Sequence, residues 1–206
     1  MNCSDPGIRV QSHRIVGSSV LAMNGKQVLV VSATRAEARY VPRDWELLIT
    51  GIGKVGAATA VAGALGKFEP GGLPLVVNIG TAGALHAHHG GLYVPGTVLN
   101  HDISADAIRA LGHDVADRIT LADGDESVLA TGDAFIADAA TRDVLAQRAD
   151  LVDMEGFAVA YAAQAAGARC RLVKHVSDHA DDSALDWPAM IDASARVLGR
   201  WLTDNI

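Results

Sequence analysis

The chain has 206 residues, 50% of them apolar but only 4% aromatic, so alanine, valine and leucine must fill the interior of what its length suggests is a single domain, 1–206. A formal charge of −7 argues against nucleic acid or an anionic membrane as partner. No run approaches the ~18 apolar residues of a membrane span, the opening MNCSDPGIRVQSHR has no signal-like apolar stretch, and Cys3 and Cys170 are too few for a disulfide framework or zinc site, so a reducing cytoplasm is expected.

In chain order, Ile8 to Met23 alternates weakly and meets Asn24-Gly25, a hairpin signal, which predicts antiparallel strands at the start. Apolar runs then predict strands over Val28 to Ala33, Glu46 to Thr50, Leu75 to Ile79 and Thr97 to Asn100. Further strands are predicted over Ser127 to Thr131, Leu151 to Met154 and Arg171 to Val176. Between them, Lys54 to Gly66, Asp138 to Arg148 and Glu155 to Ala166 read as helices, with Asp138 as an N-cap and Gly167 as a C-cap. Trp187 to Thr203 is the last, with Pro188 suited to a first turn. This alternation predicts an α/β fold with a mostly parallel sheet.

One stretch invites a redox reading. Gly51-Ile52-Gly53-Lys54-Val55-Gly56 is a full G-x-G-x-x-G between a strand and a helix. A dinucleotide site also needs an acidic residue at the end of the next strand, to hold a ribose diol. Here that strand, LVVNI, runs into Gly80-Thr81-Ala82-Gly83 with no carboxylate. The turn is also not the first strand–helix junction. The glycines are therefore read as permitting a sharp turn and close packing, with Gly53 able to bring backbone amides near a ligand.

Ligands of open α/β sheets gather beyond the carboxyl ends of strands. Polar residues expected there include Glu37, Thr81, Gly83, Glu155, Ser177 and Asp178. Three carboxylates on separate segments, Glu37, Glu155 and Asp178, suit acid–base work better than cofactor holding.

Five segments arrive in a set order: TGIGKV (50–55), NIGTAGAL (78–85), TGDAFI (131–136), VDMEGFAVA (152–160) and HVSDHADD (175–182). In this the chain resembles the nucleoside phosphorylase and nucleosidase superfamily, most of all its methylthioadenosine/adenosylhomocysteine nucleosidase branch. The resemblance implies a central mixed sheet, partly closed like a barrel and flanked by helices. It implies cleavage of the N-glycosidic bond of a purine nucleoside without a cofactor, in a homodimer or larger homo-oligomer. Asp178 would protonate purine N7, Glu155 would bind ribose hydroxyls and favour a cationic sugar, and Glu37 would activate water. Met154 would pack on the sugar, Phe135 would stack on the purine, and the Ile136 backbone would pair with its edge. Thr81 and Gly83 would form a turn near the nucleophile, and Asp153 would be structural.

Each residue also has a plainer reading. Asp178 could cap a helix, Glu155 could favour a helix first turn, and Glu37 could be a solvated helix carboxylate. Phe135, Ile136 and Met154 could be core. Phosphorolytic relatives carry a Gly-Asp-Pro turn and arginines, where this chain has SATRAEA and only the late Arg109, with Arg35 and Arg39 as other candidate anion holders. Water is therefore the expected nucleophile. The chain between Asn100-His101-Asp102 and TGDAFI is shorter than in nucleosidases, which leaves the 5′ group open: methylthioadenosine-like, simpler or futalosine-like. His86, His88 and His89, and the acidic run Asp178, Asp181, Asp182 and Asp186, are read as solvated loops rather than metal sites. A phosphorylase and a non-catalytic nucleoside-binding protein are the alternatives.

Overall fold

The computed structural model describes residues 27–69, 71–181, 184 and 187–206; the hairpin expected over Ile8 to Met23, and Asp182 and Asp186, lie outside them. The elements in order are β1 (Val28–Ser32), β2 (Glu46–Ile49), α1 (Lys54–Leu65), β3 (Leu75–Ala84), β4 (Leu92–Tyr93), β5 (Pro95–Asn100) and α2 (Ala105–Ala110). Then come β6 (Arg118–Thr120), β7 (Asp125–Thr131), α3 (Ala139–Leu145), β8 (Leu151–Asp153), α4 (Gly156–Ala166), β9 (Cys170–Asp178) and α5 (Trp187–Asn205).

The two-residue period of β1 and β3 sets the layers. Leu29, Val31 and Val76 face α1 and α4, meeting Ala57, Val61 and Leu65 on one helix and Ala158, Val159 and Ala162 on the other. Val30, Val77 and Ile79 face the opposite way, onto Leu198 and Leu202 of α5. Burial on both faces is why these strands are unbroken apolar runs. Asp138 caps α3 by accepting the Thr141 N–H (2.8 Å), and Gly167 ends α4 in the left-handed conformation (φ 81°), both as expected.

The sheet is mixed, with the order β2-β1-β3-β8-β7-β5-β6, with β9 branching from β3 and with β4 paired to β9. β1–β2, β1–β3, β3–β9, β5–β7 and β7–β8 are parallel; β3–β8, β4–β9 and β5–β6 are antiparallel. One expectation needs correcting. β3 does not stop at Ile79 for a turn at Gly80-Thr81-Ala82-Gly83 but runs on to Ala84, so Thr81 and Gly83 are strand residues. Small side chains hide a strand from hydrophobic periodicity, while pairing with β9 from Val76 to Gly83 supplies its hydrogen bonds. The short β4, α2 and β6 have no counterpart among the predicted elements, because two to six residues are too few for a periodic signal.

β3 is also where the sheet forks. β9 holds one edge along its length. On the other edge β1 pairs as far as Asn78, and β8 takes over only at Gly83. Among the described residues, 79–82 have no strand partner on that edge, and the opening left there holds the site.

Candidate active site

Thr81 sits in the fork, and Glu37 takes the place of the missing strand. Its Oε1 accepts the Thr81 N–H and the Thr81 hydroxyl, both at 2.9 Å. Its Oε2 accepts the Thr34 N–H (3.2 Å) and the Thr34 hydroxyl (2.8 Å). The Glu37 N–H returns a bond to Thr34 Oγ1 (3.2 Å), closing a reciprocal capping box of the T-x-x-E type. Glu37 is only 5% exposed, so it is no solvated helix carboxylate. Each of its oxygens accepts two donors.

Glu155 answers the question of the glycine-rich turn. The Gly53 N–H donates to Glu155 Oε1 at 2.7 Å, and the neighbouring Lys54 N–H donates to Asp133 Oδ1 at 2.8 Å. Protein carboxylates therefore occupy the amides that a pyrophosphate would need. Gly51 and Gly53 have φ of 79° and 97°, a conformation that glycine alone adopts cheaply. Glu155 is the N-cap residue of α4, yet its side chain makes no capping bond. Burial, then the nearby Asp153 charge, pushes its carboxyl up to about 7, while Lys174 and the Gly53 N–H pull the other way.

Asp178 ends β9. Its Oδ2 accepts the Ser177 hydroxyl (2.6 Å) and its Oδ1 accepts the Ala180 N–H (2.9 Å). The second bond closes a turn two residues long rather than capping a helix, and buried Ala180 takes a positive φ of 50° within it. Gly83 lies against this carboxylate: a Cβ there would stand 3.0 Å from Asp178 Oδ1. The glycine is needed for closeness, not for a turn.

All three carboxylates line one cleft of about 670 Å3, counting its open mouth. Thr81, Gly83, Phe135, Ile136, Met154 and Ser177 line it too, so the structure brings the three carboxylates and the six candidate substrate-binding residues to one place. Phe135 is 55% exposed, whereas Ile136 is buried among Leu85, Leu99 and Val152. The core reading thus fits only the second of these. Among the described residues no arginine or lysine lines the cleft. Arg39 pairs with Asp192 (3.0 Å), and Arg109 pairs with Asp117, away from the cleft. Among the described residues no three His, Cys, Asp or Glu side chains are arranged to hold a metal ion.

Sequence reasoning missed Lys174, Ile52 and Trp187. Lys174 is 2% exposed, and its Nζ lies 2.8 Å from Asp153 Oδ2. A Cβ on Gly80 would be 3.3 Å from both Lys174 Nζ and Glu37 Oε1, so the ammonium sits behind the acidic floor. Burial opposes its charge, but Asp153, Glu155 and Glu37 outweigh this and its pKa is raised. The available signal was a lysine inside the apolar strand RLVKHV. Asp153 also accepts the Gly156 N–H (2.9 Å) and the Thr131 hydroxyl, and its place in this buried network agrees with a structural part.

Residues 24–200 match the family model described as Phosphorylase superfamily. The chain belongs to the phosphorylase superfamily. An aminodeoxyfutalosine nucleosidase of Helicobacter pylori is 31% identical over 108 residues, which are 50% of this chain and 46% of the relative. The chain thus spans about half the length of the curated relatives it matches. Two solved structures share the superfamily fold. One is Helicobacter pylori MTAN, a mutant with 5′-methylthioadenosine in the active site, at TM-score 0.76 and 21% identity, covering 87% of this chain and 97% of that one. The other is 5′-methylthioadenosine/S-adenosylhomocysteine nucleosidase from Neisseria meningitidis in complex with methylthio-immucillin-A, at TM-score 0.73 and 19% identity, covering 85% and 96%. At such identities the likeness is one of fold.

Proposed function

We propose that this phosphorylase-superfamily chain hydrolyses the N-glycosidic bond of a purine nucleoside, releasing free base and sugar. Asp178 donates a proton to N7 of the base, which makes the base a better leaving group. Glu155, ionised beside the sugar, accepts from ribose hydroxyls and stabilises the positive charge that develops as the bond breaks. Glu37 receives a proton from the water that attacks C1′. Phe135 covers the base, the Ile136 backbone meets its edge, and Met154 packs on the sugar. Thr81, Gly83 and Ser177 shape the floor and hold the carboxylates.

The observation that carries this reading is the convergence of Glu37, Glu155 and Asp178 on one cleft. An anionic floor suits a cationic sugar, and a cleft with no arginine or lysine among its described lining residues suits water better than a phosphate dianion. Methylthioadenosine and aminodeoxyfutalosine, from the relatives' names, are the first substrates to try, with simpler purine nucleosides beside them. Work in the cytoplasm as a homodimer or larger homo-oligomer belongs to the same proposal. Among the described residues no helix is long and apolar enough to cross a membrane, and Ile52, Val55 and Phe135 leave apolar surface uncovered.

The test is release of free base from a panel of these nucleosides, with and without phosphate. Release in plain buffer is expected. Release only with phosphate would make the chain a phosphorylase. A thermal shift by nucleoside with no release at any pH would make it a binding protein.

A further inference from the structure

Trp187 is the first residue of α5, lines the cleft, and donates its indole N–H to Thr81 Oγ1 at 2.8 Å. Thr81 Oγ1 in turn lies 2.9 Å from Glu37 Oε1. An indole nitrogen can only donate, and a threonine hydroxyl carries one hydrogen. With Trp187 filling an acceptor position on Thr81, the single Thr81 hydrogen is left to point at Glu37, which as a carboxylate can only accept.

We propose that Trp187 is a positioning residue for Glu37, acting through Thr81: the indole fixes the direction of the Thr81 hydroxyl, and that hydroxyl with the Thr81 N–H clamps Glu37 Oε1. The proposal rests on Glu37 being the group that activates water. It also resolves a difficulty of that role, since both carboxylate oxygens are already occupied. Three of the four donors are held in place. Two are backbone N–H groups, fixed by the chain, and the third is the Thr81 hydroxyl, fixed by Trp187. Among the described residues, the acceptor side of the Thr34 hydroxyl meets only the 3.2 Å hydrogen bond from the Glu37 N–H, which comes from the same short turn and not from a separate element. It is therefore the contact at Oε2 that an incoming water displaces, while Oε1 stays clamped and the carboxylate keeps its orientation.

Two measurements test this, and the first needs no activity. In 15N-labelled protein, one of the three tryptophan indole signals is assigned to Trp187 by its loss in Trp187→Phe. That indole hydrogen should exchange with water at least about tenfold faster in Thr81→Val, and at the wild-type rate in Thr81→Ser. An indole signal indifferent to Thr81→Val overturns the contact and the proposal. The second is a double-mutant cycle on base release. Trp187→Phe, which keeps an aromatic wall, should lower kcat about tenfold and change KM by less than about threefold. It should have no further effect on kcat in the Thr81→Val background, and Thr81→Ser, which keeps the hydroxyl, should recover most of the kcat that Thr81→Val loses. Losses that multiply in the double variant, or an effect of Trp187→Phe on KM alone, would make Trp187 a cleft wall and end the proposal. If the wild type releases no base while the indole behaves as expected, the hydrolytic reading fails and the contact stands.

Discussion

Replacing Glu155 by glutamine should change how stability depends on pH. Glutamine keeps an oxygen for the Gly53 N–H, bonded at 2.7 Å in the native protein, but removes the titrating group. Burial and the Asp153 charge raise the native carboxyl from an ordinary 4.5 to about 7. Between those values the folded chain holds a proton that the unfolded chain has released. Stability therefore falls as pH rises through this window. The contribution is complete below about 4.5 and lost above about 7. At about 1.4 kcal/mol for each tenfold change in acidity constant, the loss is about 3 kcal/mol. Urea unfolding at about pH 5 and about pH 8, on both proteins, isolates it, because most other groups titrate alike in the two. Because part of the contribution is already lost at about pH 5, the variant should gain about 2–3 kcal/mol on the wild type between the two conditions. Parallel profiles, or a wild type that gains with rising pH, would refute the reasoning. Under the proposed function, the free energy spent in ionising Glu155 in the empty cleft would be recovered when a cationic sugar forms beside it.

Asp178→Asn should lower turnover by about 100-fold or more while nucleoside affinity changes little, because proton donation matters in the transition state; steady-state kinetics with a binding titration check this. Lys174→Met leaves Asp153 buried without its ion pair beside two other acids, and should cost about 3–5 kcal/mol in urea unfolding at neutral pH. Gly83→Ala places a methyl 3.0 Å from Asp178 Oδ1 and from Ala180 Cβ, and 3.2 Å from Val152. It should cost about 1–3 kcal/mol and reduce base release, with crystallography showing Asp178 displaced.

The sequence by itself determined the alternation of strands and helices, because burial on both faces leaves long apolar runs, and the caps at Asp138 and Gly167, because capping is local. It also pointed to three carboxylates at strand ends, through motifs whose order survives even where each is weak. Tertiary structure decided what those residues meet. β3 passes through Gly80 to Gly83 as a strand only because β9 lies beside it, and the missing neighbour on its other edge is what opens a place for Glu37. The glycine-rich turn serves Glu155, a residue 102 positions away along the chain. Lys174 reads as one basic residue in a strand, and only the fold sets it behind three acids. Burial and charge pairing are sums over neighbours brought from distant segments, and the order of residues along the chain does not state those sums.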